Sequence, residues 1–365
     1  MLNKIKTEYL MDLFKNILIL SLSFFLFSCG GGGGGSSASP AAAVAATPTY
    51  SYDRLDADYT NKTWDTKTQM RRSNSSGVAS AFGGFGDYPL TMTITEGSNY
   101  FDISISGDLN VNSSTDDSLN YVFSLTDQSV NQDPLYNLDG DAVAVLFDTT
   151  FSNAVLLGVV LLPEGLSSVS NIKYTNVGFL DFFFNNGERD TFAFNYGSKT
   201  VSGDMPSSGS ATYNIDAFLM FQAYKAGTGL YGTSSSADIV SEGAGSLNAN
   251  FSTGSIDGEL SFSRYFYYSE FRRAGAAPTN QILNVPSITM SLSNGNLNTN
   301  DFTGAATINS NGLVGSGVFQ GSFFGNNANE TSGTFLLGID TDEDTSGADY
   351  WDIEGVFIGC KASGC

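Results

Sequence analysis

GSFFGNNANETSGTF, residues Gly321 to Phe335, is the stretch that decides the fold. Gly325-Asn326-Asn327 at its centre tolerates the positive φ angles of a tight turn, and aromatic residues stand on both sides. The stretch therefore predicts a β-hairpin in which one strand ends at Phe324 and the next begins at Gly333. Glu330 is expected to accept backbone N–H groups and to fix this hairpin, because no acid or base that could support catalysis stands near it.

The same strand pattern extends outward from the hairpin over most of the chain. Short runs in which apolar and polar residues alternate, as in Leu90 to Thr95, are separated by Gly, Asn, Asp and Ser. No segment after residue 48 carries a helical stripe longer than two turns. Further strands are predicted at 101–106, 121–125, 142–147, 155–162, 177–184, 191–196, 217–224, 246–251, 256–263, 288–292, 302–308, 313–324, 333–339 and 351–358.

The composition favours hairpins that form a closed or nearly closed all-β structure. The chain has 41 glycines, 13% aromatic residues and only 15% charged residues, and closure hides the backbone edges of such strands. Residues 154–162 are the most apolar run after the N-terminal segment, but they are too few to span a membrane and predict a buried strand. A cluster of Gly, Asp, Pro and Ser at 203–209 predicts a boundary between two domains, 49–203 and 204–365.

Residues 1–28 have the pattern of a signal peptide that starts at Met1 or at Met11. Residues 17–27 are uncharged and apolar, and they are fewer than the ~20 that a membrane helix needs. The following Leu26-Phe27-Ser28-Cys29 resembles the lipobox of bacterial lipoproteins, in which the cysteine receives diacylglycerol and becomes the mature N-terminus. Residues 29–48 are mainly Gly, Ser and Ala without charge, which predicts a flexible tether. The protein is therefore expected to be anchored in a membrane through a lipid on Cys29.

Charge and composition exclude several classes of function. The chain has 37 acidic residues against 16 Lys and Arg, a net charge of −21, which repels nucleic acid and favours basic protein partners or simply keeps an exported protein soluble. It has no histidine, which excludes a Ser-His-Asp triad, a His-ligated haem and the usual zinc site. We therefore expect a protein that is not an enzyme and has no cofactor.

Two further clusters near the C-terminus each allow two interpretations. Cys360 and Cys365 form either a local disulfide that fixes the end of the last strand or two free thiols. Asp340, Asp342 and Asp344 alternate like the first ligands of an EF-hand loop, but the glycine at the sixth loop position is missing, and Trp351 occupies the twelfth. These aspartates, with the acidic residues at 349, 352 and 354, therefore predict a solvated loop rather than a metal site.

An aromatic and basic run forms the candidate contact site for a protein partner. Tyr265 and Tyr267 belong to a run of four aromatic residues, with Arg272 and Arg273 close behind. Aromatic residues and arginine are enriched at the centres of protein interfaces. Alternation along a strand offers the other interpretation, in which two of the rings point into the wall of a barrel.

Three landmarks in the second half carry a resemblance to a known family. Gly321, Gly325, Glu330 and Gly333 follow the pattern Gly-x-Phe-Tyr/Phe-Gly-x-x-Ala-x-Glu-x-x-Gly-x-Phe. Residues 206–213 follow Pro-x-x-Gly-x-Ala-x-Tyr, and residues 245–251 resemble the hairpin that comes next. In this order the landmarks resemble the β-barrel domains of the transferrin-binding protein B family of surface lipoproteins.

The resemblance implies an N-terminal β-rich handle domain followed by a C-terminal eight-stranded antiparallel β-barrel. The namesake of the family has two handle-and-barrel lobes, whereas this chain has room for one. The resemblance further implies a lipid-anchored protein of the outer membrane that is exposed on the cell surface, captures a protein partner through loops and serves, for example, in iron or haem acquisition. The alternatives are a lipocalin-like carrier of a small molecule, and an adhesin or envelope-structural lipoprotein. Large apolar residues at inward positions favour a filled barrel over a carrier.

Overall fold

The structure is a computed structural model that describes residues 49–55, 62–73, 79–83, 90–97, 100–108, 118–124, 131–136, 142–150, 154–161, 171–187, 189–225, 237–267, 285–340 and 349–364. Thr49–Cys365 pack as one compact unit. The described residues form two open sheets and one closed barrel, so the predicted all-β fold class is confirmed. The predicted signal peptide and tether, residues 1–48, lie outside the described residues.

Residues 49–203, which we call the handle, contain the two open sheets. The four-stranded sheet has the order β1-β4-β5-β6, and the seven-stranded sheet has the order β3-β2-β11-β10-β9-β8-β7. All strand pairs in both sheets are antiparallel. The described strands are β1 (Lys62–Asp65), β2 (Lys67–Ser73), β3 (Ala79–Gly83), β4 (Leu90–Gly97), β5 (Tyr100–Asp108), β6 (Ser118–Ser124), β7 (Asn131–Tyr136), β8 (Ala142–Thr150), β9 (Ala154–Leu161), β10 (Thr175–Phe184) and β11 (Arg189–Gly197).

The sequence pattern did not predict four strands of the handle, and there is a physical reason for each omission. β1 and β2 are polar and charged, so they lack the alternation that marks a strand, and β3 is a short run of Ala, Ser, Phe and Gly. β7 contains Pro134, which argues against a central strand. The structure places β7 at the edge of the seven-stranded sheet, where the missing N–H of a proline need not break the hydrogen-bond ladder.

The C-terminal part closes into the eight-stranded antiparallel barrel that the family resemblance implied. Each strand pairs with the next, and β12 pairs with β19 from Tyr213 opposite Lys361 to Lys225 opposite Asp349, which closes the ring. The strands are β12 (Ser210–Lys225), β13 (Ala237–Asn250), β14 (Ser255–Tyr267), β15 (Ile288–Asn298), β16 (Asp301–Ser310), β17 (Leu313–Phe324), β18 (Glu330–Asp340) and β19 (Asp349–Lys361).

Side chains fill the barrel interior. Along β12, Tyr213, Ile215 and every second residue up to Phe221 point inward and are buried. Phe302 packs among other interior aromatic rings, with its ring centroid 5.2 Å from that of Phe323 and 6.0 Å from that of Phe319. An eight-stranded barrel leaves an interior that is just wide enough for side chains. The interior is therefore a packed core.

The handle packs against the outer wall of this barrel. Val177 and Phe179 of β10 form an apolar cluster with Val356 and Ile358 of β19 and with Met220 of β12. The strands β2, β10 and β11 make the contacts with β18 and β19. The seven-stranded sheet thus covers one side of the barrel, and the barrel carries two cores, one inside and one outside its wall.

Two glycines of the hairpin signature make room for the aromatic core. Gly321 and Gly333 stand opposite each other on β17 and β18. A Cβ at Gly333 would lie 2.1 Å from the Gln320 oxygen and 2.4 Å from the Phe357 ring, and one at Gly321 would lie 2.5 Å from the Phe302 ring. Both positions therefore require glycine because rings and backbone occupy the space of a side chain.

We predict that Gly333→Ala destabilises the protein by about 1–3 kcal/mol, the usual cost of overpacking a core. Gly338→Ala on the same strand is the matched control, because a Cβ there meets nothing within 4 Å. Denaturant unfolding of both variants measures the difference. Equal stability of the two variants would contradict the packing argument.

Candidate functional site

The two ends of the barrel carry connections of different length. At one end, which we call the turn end, the strands are joined by residues 251–254, 299–300 and 325–329. At the other end, the loop end, they are joined by residues 226–236, 268–287, 311–312 and 341–348. Binding residues are found disproportionately on loops that a rigid scaffold positions. The loop end is therefore the first candidate for a binding surface.

The chain enters the folded region at the turn end. The Tyr52 hydroxyl donates to Oδ2 of Asp204 at 2.8 Å, and the N–H of Asn327 in the 325–329 turn donates to the same oxygen at 2.9 Å. The eleven residues of β18 at about 3.3 Å each, tilted as barrel strands are, separate the two ends by roughly 30 Å. The loop end thus faces away from the point where the chain enters.

Tyr265 is buried inside the barrel, so the prediction that it contacts a partner is wrong. Its hydroxyl donates to the Phe262 carbonyl at 3.0 Å and accepts the Ile288 N–H at 3.1 Å, and its exposed fraction is 0%. The pairing of β13 with β14 shifts register between Glu242 and Gly243. This irregularity allows both Phe262 and Tyr265, three residues apart, to face inward, which strict alternation along the strand would not allow.

The remaining candidate contact residues stay predictions. Tyr267 is the last residue of β14 and pairs with Ile239 at the loop end, but its side chain is not among those described. Arg272 and Arg273 lie outside the described residues, in the connection that starts at 268. That connection leaves the barrel at the loop end.

Glu330 joins the barrel to the handle. Its Oε1 accepts the Lys173 N–H at 2.8 Å, and its Oε2 accepts the Tyr174 N–H at 2.8 Å. Lys173 and Tyr174 directly precede β10 of the handle. The hairpin sequence predicts that Glu330 accepts N–H groups of its own turn, whereas the donors belong to the handle. A contact between parts that are distant in sequence could not be found from the hairpin alone.

Burial controls the charge of Glu330. It raises the pKa of this carboxyl to about 7, against the opposing effects of the three backbone N–H groups at 173–175 and of the Lys173 charge. The carboxyl is fully buried, so its charge is balanced by directed N–H groups rather than by water. Glu330 therefore takes up a proton close to neutral pH.

Gly325 completes this contact. Its φ is 69°, which favours glycine, and a Cβ there would lie 2.3 Å from the Tyr174 ring. Its N–H donates to the Ser198 carbonyl at 2.9 Å, and its carbonyl accepts the Thr200 hydroxyl at 2.7 Å. The hairpin signature is therefore also the place where the barrel holds the handle.

A second polar contact lies further along the same wall. Arg71 of β2 is buried, with its Nη2 3.3 Å from Oε1 of Glu354 and its Nη1 3.6 Å from Oδ2 of Asp352. The prediction that Asp352 and Glu354 belong to a solvated loop is wrong. They lie on β19 and are buried under the handle. Nothing in the polar sequence of β2 marks Arg71 as a buried residue.

The structure describes only some of the other acidic and cysteine residues that the sequence singled out. Asp340 ends β18 and Asp349 begins β19, and the acidic segment between them lies outside the described residues. Among the residues that the structure describes, no group of three or more Cys, Asp or Glu is placed to hold a metal ion. Cys360 is buried and disulfide-bonded. Cys365 and Cys29 lie outside the described residues, so the pairing and the lipidation stay predictions.

The described ranges contain no helix that is long and apolar enough to cross a membrane.

Comparison with known proteins assigns the barrel to a family. Residues 205–361 match the family model described as C-lobe and N-lobe beta barrels of Tf-binding protein B. Among curated proteins, none matches the sequence significantly.

Several solved structures are remotely similar to the chain. A double mutant of the vaccine antigen Transferrin Binding Protein B from Haemophilus parasuis Hp5 is 12% identical, with a TM-score of 0.35 over 83% of this chain and 76% of that one. The isotype 1 Transferrin binding protein B of serogroup B Neisseria meningitidis is 11% identical, with a TM-score of 0.30 over 82% and 76%. Kievitone hydratase from Nectria haematococca is 8% identical, with a TM-score of 0.22 over 82% and 88%. Similarity at this level assigns neither a ligand nor an activity.

We predict that Glu330→Ala loosens the segment before β10. The variant leaves the buried N–H groups of Lys173 and Tyr174 without their acceptor, at a cost of about 1–3 kcal/mol for each. Trypsin should then cleave after Lys173 faster than in the wild type. Glu259→Ala, at an exposed position on β14, is the control. An unchanged rate of cleavage at Lys173 would show that Glu330 does not hold the handle.

Proposed function

Since residues 205–361 form a β-barrel domain of the transferrin-binding protein B family, we propose that this protein is a lipid-anchored binding protein of the bacterial outer membrane. It captures a protein partner at the cell surface, and it carries out no catalysis. The family supplies the general expectation of a binding protein at the outer-membrane surface. The geometry of this chain suggests how it binds.

The observation that carries the proposal is the filled barrel interior. Phe302, Phe319 and Phe323 occupy the space where a carrier would hold its ligand. A partner therefore binds on the outside, and the longer connections at the loop end are the part of the barrel best suited to it. The packed barrel and the handle held by Glu330 provide a rigid scaffold for these connections, which lowers the entropic cost of binding.

The position at which the chain enters the folded region supports a loop end that is exposed to a partner. If Cys29 carries the lipid, some twenty residues separate it from Tyr50, and for the flexible tether that their sequence predicts the root-mean-square distance is roughly 25 Å. Tyr52 is held at the turn end through Asp204. The turn end then faces the membrane, and the loop end faces outward.

The charge of the protein favours a basic partner. With a net charge of −21, its field accelerates the approach of a positively charged surface, and salt screens this effect. A transferrin-type protein is the first partner to test, because the solved relatives are named for that ligand. Capture of such a partner would serve the acquisition of iron or haem.

Binding measurements on the mature protein test this proposal. We expect a basic protein partner to associate with a rate constant that falls as salt rises. Replacement of residues 226–236 by a short Gly-Ser linker should weaken binding, whereas Thr253→Ala in the turn end should not. Haem and fatty acids should leave the melting temperature unchanged. A saturable increase in melting temperature with one of these ligands, together with no protein partner from host fluids, would favour the carrier instead.

A separate prediction concerns the anchor. Cys29→Ser should leave the protein without lipid, so that it no longer partitions with the membrane fraction. Partition is measured by fractionation and by metabolic labelling with a fatty acid. Cys360→Ser is the matched control and should still be labelled. Unchanged labelling and membrane partition of Cys29→Ser would contradict lipidation at this residue.

A further inference from the structure

The junction between handle and barrel buries a second carboxyl group among opposing charges. Glu354 of β19 is 1% exposed. Arg71 reaches it from β2 at 3.3 Å, and Asp181 of β10 and Arg189 of β11 act on it electrostatically. Asp352 stands two residues away on the same strand and shares Arg71. The handle and the barrel thus each contribute charged groups to one dry cluster.

Among the side chains that the structure describes in this cluster, the acidic groups outnumber the basic ones. Asp181, Asp352 and Glu354 carry three potential negative charges, whereas Arg71 and Arg189 carry two positive ones. The Arg189 Nε lies 2.9 Å from Oδ1 of Asp181, and the Arg189 Nη2 lies close to the other carboxylate oxygen. This arrangement makes Asp181 the partner of Arg189, and it leaves Arg71 to face both Asp352 and Glu354.

A surplus negative charge in a dry interface is costly. Burial of an ion without full compensation costs several kcal/mol, and buried carboxyl groups commonly avoid this cost by binding a proton. Burial raises the pKa of Glu354 to about 7, with Arg71 opposing the shift, Asp181 adding to it and Arg189 opposing it. The geometry places one buried arginine between two carboxyl groups, and Glu354 is the more deeply buried of the two, at 1% exposed against 6% for Asp352. Burial therefore favours Glu354 as the group that takes up the proton.

We propose that the junction is proton-linked: Glu354 binds a proton when the handle is docked on the barrel, and this uptake tightens the junction as the pH falls below neutrality. The docked carboxyl holds its proton to a higher pH than the same carboxyl in water does. Docking is therefore accompanied by proton uptake at pH values between the ordinary pKa of glutamate, about 4.3, and the raised pKa of the docked carboxyl. The resulting stability is fully present below this window and is lost as the pH rises through about 7.

Protonation of Glu330 also stabilises the junction as the pH falls, because burial raises the pKa of this carboxyl to about 7 and the carboxyl joins the handle to the barrel. Lys173 is the charged group that faces it. The two carboxyls lie apart along the wall covered by the handle, since Glu330 begins β18 at the turn end and pairs with Cys360, whereas Glu354 lies in the middle of β19 and pairs with Leu336. The pH response of the junction is therefore the sum of two separable sites.

The first test is the pH dependence of unfolding of the mature protein. Near pH 6, Glu354→Gln should reduce the number of protons taken up on folding by about one, relative to the wild type. Glu259→Gln, at an exposed position on β14, should leave this number unchanged. The same pH dependence in Glu354→Gln and the wild type would overturn the proposal.

The second test follows docking itself. Hydrogen exchange in a peptide that covers β2, corrected for the intrinsic rate, should be slower at pH 6 than at pH 8.5 in the wild type. In Glu354→Gln, which imitates the protonated carboxyl, the protection should persist at pH 8.5. Equal protection of the wild type at both pH values would overturn the proposal.

A third measurement does not use Glu354→Gln and remains valid if that variant fails to fold. Infrared spectra of the wild type in D₂O should show the C=O stretch of a buried protonated carboxyl group that disappears between pH 6 and pH 8.5. Glu330→Gln should remove only part of this signal. Complete loss of the infrared signal in Glu330→Gln, or absence of the signal from the wild type, would show that Glu354 does not bind the proton.

Discussion

The pairing of β12 with β19 is the interaction on which the rest of the structure depends. It turns eight strands into a closed barrel with no free edge, from Tyr213 opposite Lys361 to Lys225 opposite Asp349. Closure fixes the interior at a width that side chains fill, and Phe302 and its neighbours do so. Gly321 and Gly333 are glycines because this interior leaves no room for a Cβ. The same wall then offers its outer face to the handle.

That outer face is held by polar contacts as much as by apolar ones. Glu330 binds two backbone N–H groups, and Arg71 meets two carboxylates of β19. The Gln320 side-chain amide donates to the Thr68 carbonyl at 3.0 Å, and that of Asn195 donates to the Ser332 carbonyl at 2.8 Å. Buried polar contacts add little net stability, but they disfavour every alignment in which they are not all satisfied. They therefore fix the position of the handle on the wall.

Under the proposed function, a fixed handle and a filled barrel direct recognition to the surface. In the part of the barrel that the structure describes, side chains fill the interior and leave no space for a ligand. At the turn end, Tyr52 of the incoming chain contacts Asp204. The proposed binding surface is therefore the loop end, with connections at 226–236, 268–287 and 341–348. A proton-linked junction would adjust how rigidly the handle is presented beside it, without any change in the loops themselves.

The sequence by itself determined the fold class, most of the strands and the hairpin at 321–335. These features follow from local rules, namely the period of two residues, turn glycines and the spacing of a signature. β17 was predicted with the same limits that it has in the structure, Leu313–Phe324. The tertiary structure alone decided what the polar residues do. Arg71 and Glu354 are 283 residues apart, and the side on which Tyr265 lies depends on a register shift between two strands. Contacts between distant segments leave no periodic trace in the sequence, so packing rather than pattern assigns Glu330 and Glu354 to the junction.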